Sequence, residues 1–307
     1  MEQQQIDNRN RYALITGATS GIGYELAKLF AADGYHLILV ARNEERLQEV
    51  ADELKNAYSV EITPHAKDLF APGAAEEVYQ FAKNMGITVD VLVNDAGQGE
   101  WGPFIDTELK RDIDIVQLNI IALISLTKLF LRDMVQRNEG KILQVGSEAG
   151  ATPMPLLSVY AATKAFVLSF SAALANEMKD KNITITVLLP GPTDTDFFHK
   201  AHQQHTVTYK EKKLDDPATV AKNGYEALMK GENKIVSGST AKMHVFLSDL
   251  LGDEMAAGNA RKQNEPSDKE GRTTITHEPS RREREAIHAT EGDYQKGVRP
   301  DEEIKPF

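Results

Sequence analysis

With 307 residues, the chain is long enough for one large α/β domain plus a tail. It has no cysteine, which excludes disulfides, thiolate-bound metals and cysteine nucleophiles and fits a reducing, cytoplasmic setting. A formal net charge of -11 argues against nucleic acid and anionic membrane surfaces as partners, and no run of about 18 consecutive apolar residues marks a membrane span.

Short apolar runs at 12–16, 36–41, 60–64, 90–94, 141–145 and 184–189 alternate with longer helical stretches, and a seventh run at 234–236 follows a helical stretch at 217–229. Runs of this length that are apolar nearly throughout suit strands buried on both faces. Their alternation with helices predicts an α/β fold, a Rossmann-type doubly wound parallel sheet of about seven strands in three α/β/α layers. A helix over 241–251 carries an apolar stripe of Val245, Phe246, Leu250 and Leu251, suited to core packing or, in the minority reading, to a subunit or membrane-surface contact. The domain is expected to span 1–251. From 252 to 307 charges are dense and apolar residues sparse, which predicts a disordered tail, with partner recruitment as the competing reading and a transient helix at 280–288.

The first strand runs into T-G-A-T-S-G-I-G at 16–23. Glycines at 17, 21 and 23 let the backbone turn tightly and approach a pyrophosphate, whose charge the N–H groups opening the next helix would meet. The second strand ends on Ala41 and Arg42 with no carboxylate. An acid there selects NAD through the ribose hydroxyls, whereas an arginine offers a fixed charge and paired donors to the 2′-phosphate of NADP. NADP(H) is therefore expected over NAD(H), the alternative being that Arg42 merely pairs with Glu44 or Glu45. Tyr160 and Lys164, in Y-A-A-T-K, lie four residues apart and so share a helix face. A tyrosine titrates near 10, and lowering it by about 3 takes about 4 kcal/mol. An ammonium roughly 4 Å away at an effective dielectric near 20 supplies about that much.

The glycine spacing G-x-x-x-G-x-G, N-D-A-G at 94–97 and Y-A-A-T-K, in that order, resemble the short-chain dehydrogenase/reductase family in its compact form. The resemblance runs over about 10–251, the tail lying outside it, and implies an oxidoreductase that transfers hydride between a nicotinamide cofactor and a small carbonyl compound or secondary alcohol. It implies that Ser147 polarises the substrate oxygen, Tyr160 transfers the proton, Lys164 binds the nicotinamide ribose and tunes the tyrosine, and Asn119 positions a relaying water. The cofactor would lie along Gly17, Thr19, Ser20, Gly21, Ile22 and Gly23, with Asp68 and Leu69 at the adenine and Asn94, Ala96 and Gly97 along its length. P-G-P-T-D-T at 190–195 (Pro190, Gly191) resembles the turn that holds the carboxamide, through Thr195 or, competing with it, Thr193. Asp95 departs from the family's usual asparagine. Relatives are commonly homodimers or homotetramers. Met154, Leu156, Leu157, Phe197 and Phe198 could line an apolar substrate pocket or simply pack, with 196–210 as a mobile lid. His199, His202 and His205, in three-residue steps without an acid, do not make a convincing metal site. The rival reading is a non-catalytic NADP(H)-binding regulator whose tail recruits a partner.

Overall fold

The computed structural model describes residues 8–248 and 253–267. Seven strands, β1 (Tyr12–Thr16), β2 (His36–Ala41), β3 (Ile62–Ala66), β4 (Val89–Asn94), β5 (Gly140–Val145), β6 (Ile183–Pro190) and β7 (Lys234–Ser237), form one sheet in the order β3-β2-β1-β4-β5-β6-β7. Every pairing is parallel. The order reverses between β1 and β4, and the carboxyl ends there open a crevice that in such sheets receives the ligand.

Helices α1 (Gly21–Ala32), α2 (Glu44–Ala57), α3 (Ala74–Asn84), α4 (Leu109–Val116), α5 (Leu123–Arg137), α6 (Ser158–Glu177), α9 (Pro217–Lys230) and α10 (Ser239–Ser248) provide the connections, with two short helices, α7 (Phe197–Lys200) and α8 (Val207–Glu211), after β6. Strand alternation divides the core between two faces. Ala13, Ile15, Leu37 and Leu39 pack on Leu26 and Phe30 of α1, Leu47 of α2 and Leu228 of α9. Leu14, Ile38, Val40 and Leu92 face Val78 of α3 and Leu126, Phe130 and Met134 of α5. Helix ends follow local chemistry: the Asn43 side chain accepts from Arg46 N at α2, Asp216 caps α9 ahead of Pro217, and Gly231 ends α9 at φ +79°.

Three differences from the sequence reading stand out. β3 begins at Ile62 rather than at 60, because pairing with β2 starts at Leu37 opposite Ile62. Two helical stretches, Leu109–Arg137 and Ser158–Glu177, are long and apolar enough to cross a membrane by length and composition. Leu126, Phe130, Met134 and Val167 within them are buried in the core, while Leu109, Ile113 and Ile121 are exposed. A further helix, α11 (Asp253–Asn264), lies where a solvated tail was expected, and it buries Ala256, Ala260 and Asn264. The ordered chain thus continues past 251; 268–307, with 280–288, lies outside the described residues. Of the 241–251 stripe, Val245 is buried and Phe246 exposed, and Leu250 and Leu251 lie outside the described residues.

Candidate active site

The chain leaves β1 through Gly17 at φ +73° and Gly21 at φ +56°, backbone that side chains rarely adopt. A Cβ at Gly17 would sit 3.0 Å from Ala96 N, and one at Gly21 2.9 Å from Thr195 Cγ2. Thr19, Ser20 and Ile22 border the same turn, half-buried. Ser20 makes no side-chain cap and the first turn of α1 holds no acid, so the positive helix end is left for an anion. A cradle that only glycine can form, opening on that helix end, fits a dinucleotide phosphate.

The Thr16 hydroxyl accepts from the N–H groups of Asp95 and Ala96, at 3.1 Å each, which fixes the 94–97 loop beside the turn. Asn94, expected along the cofactor, is instead turned into the sheet: its Nδ2 donates to Thr127 Oγ1 at 3.1 Å and Gln144 Oε1 at 3.0 Å. Leu69 likewise joins the core, while Asp68 Oδ1 accepts from Phe70 N. Arg42 follows β2 with its guanidinium carbon 4.8 Å from the Phe70 ring centroid and its Nε 4.0 Å from Asp68 Oδ1. After Pro190 the Gly191 N–H donates to the Ser237 carbonyl and Thr193 Oγ1 donates to that of Gly191, so Thr193 is occupied within the turn. Thr195 is the residue that lies against the glycine loop.

The four chemical residues come from three elements and meet at this edge. Ser147 follows β5 and opens a 3-10 turn (Glu148–Ala151), which packs so closely on α6 that a Cβ at Gly150 would lie 2.5 Å from the Lys164 carbonyl carbon. Tyr160 and Lys164 are on α6, both buried. Asn119 sits in a π-helical turn (Gln117–Ala122) between α4 and α5, a local widening often found at functional sites. Its Nδ2 donates to the Gln98 carbonyl and to Thr163 Oγ1, at 2.9 Å each, and its Oδ1 accepts from Gln98 N at 3.0 Å. A Cβ at Gly97 would lie 3.3 Å from Lys164 Nζ and 3.5 Å from Asn119 Oδ1, so these two side chains border one small space.

Burial dominates the electrostatics of the Tyr160–Lys164 pair. Burial pushes the Tyr160 phenol up to about 12; a hydrogen bond with Ser147 opposes this, and the charges of Asp95 and Glu148 add to it. Lys164 Nζ lies 5.8 Å from the Tyr160 ring centroid and donates to the Val145 carbonyl at 2.8 Å. Burial lowers this lysine to about 8, with Asp95 working the other way. Asp95 is pushed up by burial to about 7, against Lys164, the Gly23 N–H and Lys200.

Above Tyr160, Trp101, Met154, Leu157 and Phe197 form one apolar cluster, with the Phe197 ring centroid 4.9 Å from that of Tyr160. Leu156 is held at φ +67°, its carbonyl accepting from Gly102 N. Phe198 is buried against Tyr209 of α8. The three histidines diverge: His199 meets Tyr209, His202 lies 2.7 Å from Glu100, and His205 packs edge-on to Trp101. Trp101, Gln98 and Thr163 were not singled out from the sequence, and Asp95 only as a departure from the family's usual asparagine. A lone aromatic and two ordinary polar residues carry no spacing signal; the departure from asparagine at 95 did.

A glycine cradle at the switch point of a doubly wound sheet, facing a buried Tyr–Lys pair, belongs to a nicotinamide-dependent oxidoreductase. A family profile described as short chain dehydrogenase matches residues 11–206, and the chain belongs to that family. Two similar curated proteins are both named very-long-chain 3-oxoacyl-CoA reductase. The one from Laccaria bicolor is 41% identical over 180 residues, 58% of this chain and 53% of that protein; the one from Rattus norvegicus is 32% identical over 250 residues, 78% and 73%. The chain thus spans about half the length of the fungal relative. A solved short-chain dehydrogenase from Sphingobium yanoikuyae in complex with NADPH aligns with a TM-score of 0.70 at 26% identity, over 84% of this chain and 99% of that one.

Proposed function

We propose that the protein is an NADP(H)-dependent reductase of a ketone flanked by an apolar chain, the 3-oxoacyl thioesters named for its relatives being the first class to try. The observation that carries the reading is the convergence of Ser147, Tyr160, Lys164 and Asn119 beside the glycine cradle. Gly17, Gly21 and Gly23 with the end of α1 would hold the pyrophosphate, Arg42 the 2′-phosphate, and Thr195 the carboxamide side. The nicotinamide supplies or accepts a hydride at the substrate carbon.

The chain's own groups manage the oxygen. Ser147 donates a hydrogen bond to the carbonyl, and Tyr160, whose burial keeps the phenol protonated, gives its proton to that oxygen as the C–H bond forms. The phenolate left behind is stabilised by Lys164 while the lysine is charged, below about 8. Asn119 braces Gln98 and Thr163 around the lysine. Trp101, Met154 and Phe197 exclude water and receive the apolar chain.

The test is a fluorescence titration with NADPH and NADH, followed by consumption of each with a panel of 3-oxoacyl thioesters and simple ketones. Tighter NADPH binding and ketone-dependent consumption support the reading. Tight binding without turnover of any carbonyl would instead favour a cofactor-binding regulator.

A further inference from the structure

The segment 99–102, whose Gly99 lies beside the Tyr160 ring, is fastened at each of its residues. Arg111 of α4 donates from Nε to Glu100 Oε2 and from Nη2 to the Gly99 carbonyl, at 3.1 Å each. Trp101 N donates to the Ala201 carbonyl at 3.0 Å, and Gly102 N to that of Leu156 at 3.0 Å. The Trp101 indole Nε1 donates to the Asn264 carbonyl at 2.7 Å, across 163 positions of sequence.

Asn264 closes α11 and is only 5% exposed. Its Nδ2 donates to the Pro155 carbonyl at 3.1 Å, beside Met154. The chain after it is tied to the segment around α8: Val207 N donates to the Glu265 carbonyl at 3.0 Å, Ser267 N to that of His205 at 2.8 Å, and Ser267 Oγ to Glu211 Oε1 at 2.6 Å. The end of α11 thus touches Trp101, the 154–155 turn and the 205–211 segment at once. Trp101 and Met154 belong to the apolar cluster around Tyr160. All of α11 lies outside the residues that match the family profile. Bonds that satisfy buried groups and cross between the walls of a pocket fix its volume, because each would leave an unpaired polar atom if it opened.

We infer that Trp101 and Asn264 form a clasp closing the far end of the substrate pocket, so that residues 253–267 set the length of apolar chain accepted beside the reacting carbonyl. This rests on the carbonyl-reductase reading for its substrate class, but its test does not require turnover.

Trp101 is the only tryptophan in the chain, so its emission reports this wall directly. Straight-chain 2-ketones of increasing length are titrated against the full chain without cofactor, following Trp101 emission. In the native protein, affinity rises with each added methylene and then stops rising once the chain reaches the clasp. In Asn264→Ala, which keeps the carbonyl that accepts from Trp101 Nε1 but removes the Nδ2 bond holding this end to the Pro155 carbonyl, the rise continues, and the longest ketones bind about tenfold tighter than to the native protein, roughly the transfer free energy of two methylenes. Ser267→Ala, which loosens the same end through Glu211, shifts the stopping length the same way should Asn264→Ala fold poorly. Met255→Ser, on the 61% exposed side of α11, leaves the length profile unchanged. Identical profiles in native protein, Asn264→Ala and Ser267→Ala, or Trp101 emission indifferent to every ketone, would overturn the clasp. Failure to reduce any carbonyl, with the length-dependent emission intact, would count against the reductase reading alone.

Discussion

Replacing Asp95 by asparagine removes an ionisable group packed against the glycine turn. A Cβ at Gly23 would meet Asp95 Oδ2 at 2.5 Å and one at Gly17 at 2.9 Å, so the carboxyl is pressed against backbone. Its pKa is raised from 3.8 to about 7 by burial, about a thousandfold tighter proton binding, which makes ionisation cost about 4 kcal/mol at most. Relaxation and water penetration reduce this to about 2 kcal/mol. The folded value lies above the unfolded one, so the stability from the held proton is fully present below about pH 4 and is lost as pH rises through about 7. Lys164 offsets the loss only while it is charged, and that help fades above about 8. The asparagine accepts the Gly23 N–H equally well and does not titrate. Denaturant unfolding of both proteins at about pH 5 and about pH 9 should therefore show the stability difference moving in favour of Asp95→Asn by about 1–3 kcal/mol. Parallel stability curves over that range would refute the placement of a strained, titrating carboxyl under the turn.

Arg42→Ala should weaken NADPH binding by about 1.5–3 kcal/mol, the worth of hydrogen bonds to a charged group, while NADH binding changes little. Equal losses for both cofactors, measured by fluorescence titration, would remove Arg42 from the 2′-phosphate. Glu100→Gln should loosen the segment carrying α7. Glu100 raises His202, so the His202–Glu100 attachment is present below the unfolded histidine value and is lost as pH rises through the folded one. His202 is nearly half-exposed, so KM should rise only about twofold in the variant at low pH and converge with the native value at high pH. A KM ratio that does not vary with pH would sink this.

Most strands were legible because β1, β2, β4, β5 and β6 are buried on both faces and read as apolar runs. β3 was misplaced by two residues because I-T-P-H-A is half-exposed at the sheet edge and carries a proline, leaving only its pairing with Leu37 to set the start. Tyr160 and Lys164 were legible because one helix spaces them. Ser147 and Asn119 were legible only through resemblance, since the π turn that aims Asn119 depends on a shift in hydrogen-bond pairing that composition does not encode. The four-residue spacing also carried no information on where Lys164 Nζ donates; the Val145 carbonyl takes it. α11 was hidden because it packs through alanines, Ala256 and Ala260, amid charges, and small residues make a buried face without raising hydropathy. Trp101 gained its meaning only from a hydrogen bond to a residue far along the chain.

The central claim is that Tyr160 delivers the proton to the substrate oxygen. Its most direct test is a single-turnover reaction of the NADPH-bound protein with a ketone substrate, comparing native protein with Tyr160→Phe. The account predicts a rate lower by about 10²–10⁴-fold, the usual worth of a positioned proton donor, with NADPH affinity unchanged. A Tyr160→Phe rate within a few-fold of native would contradict it.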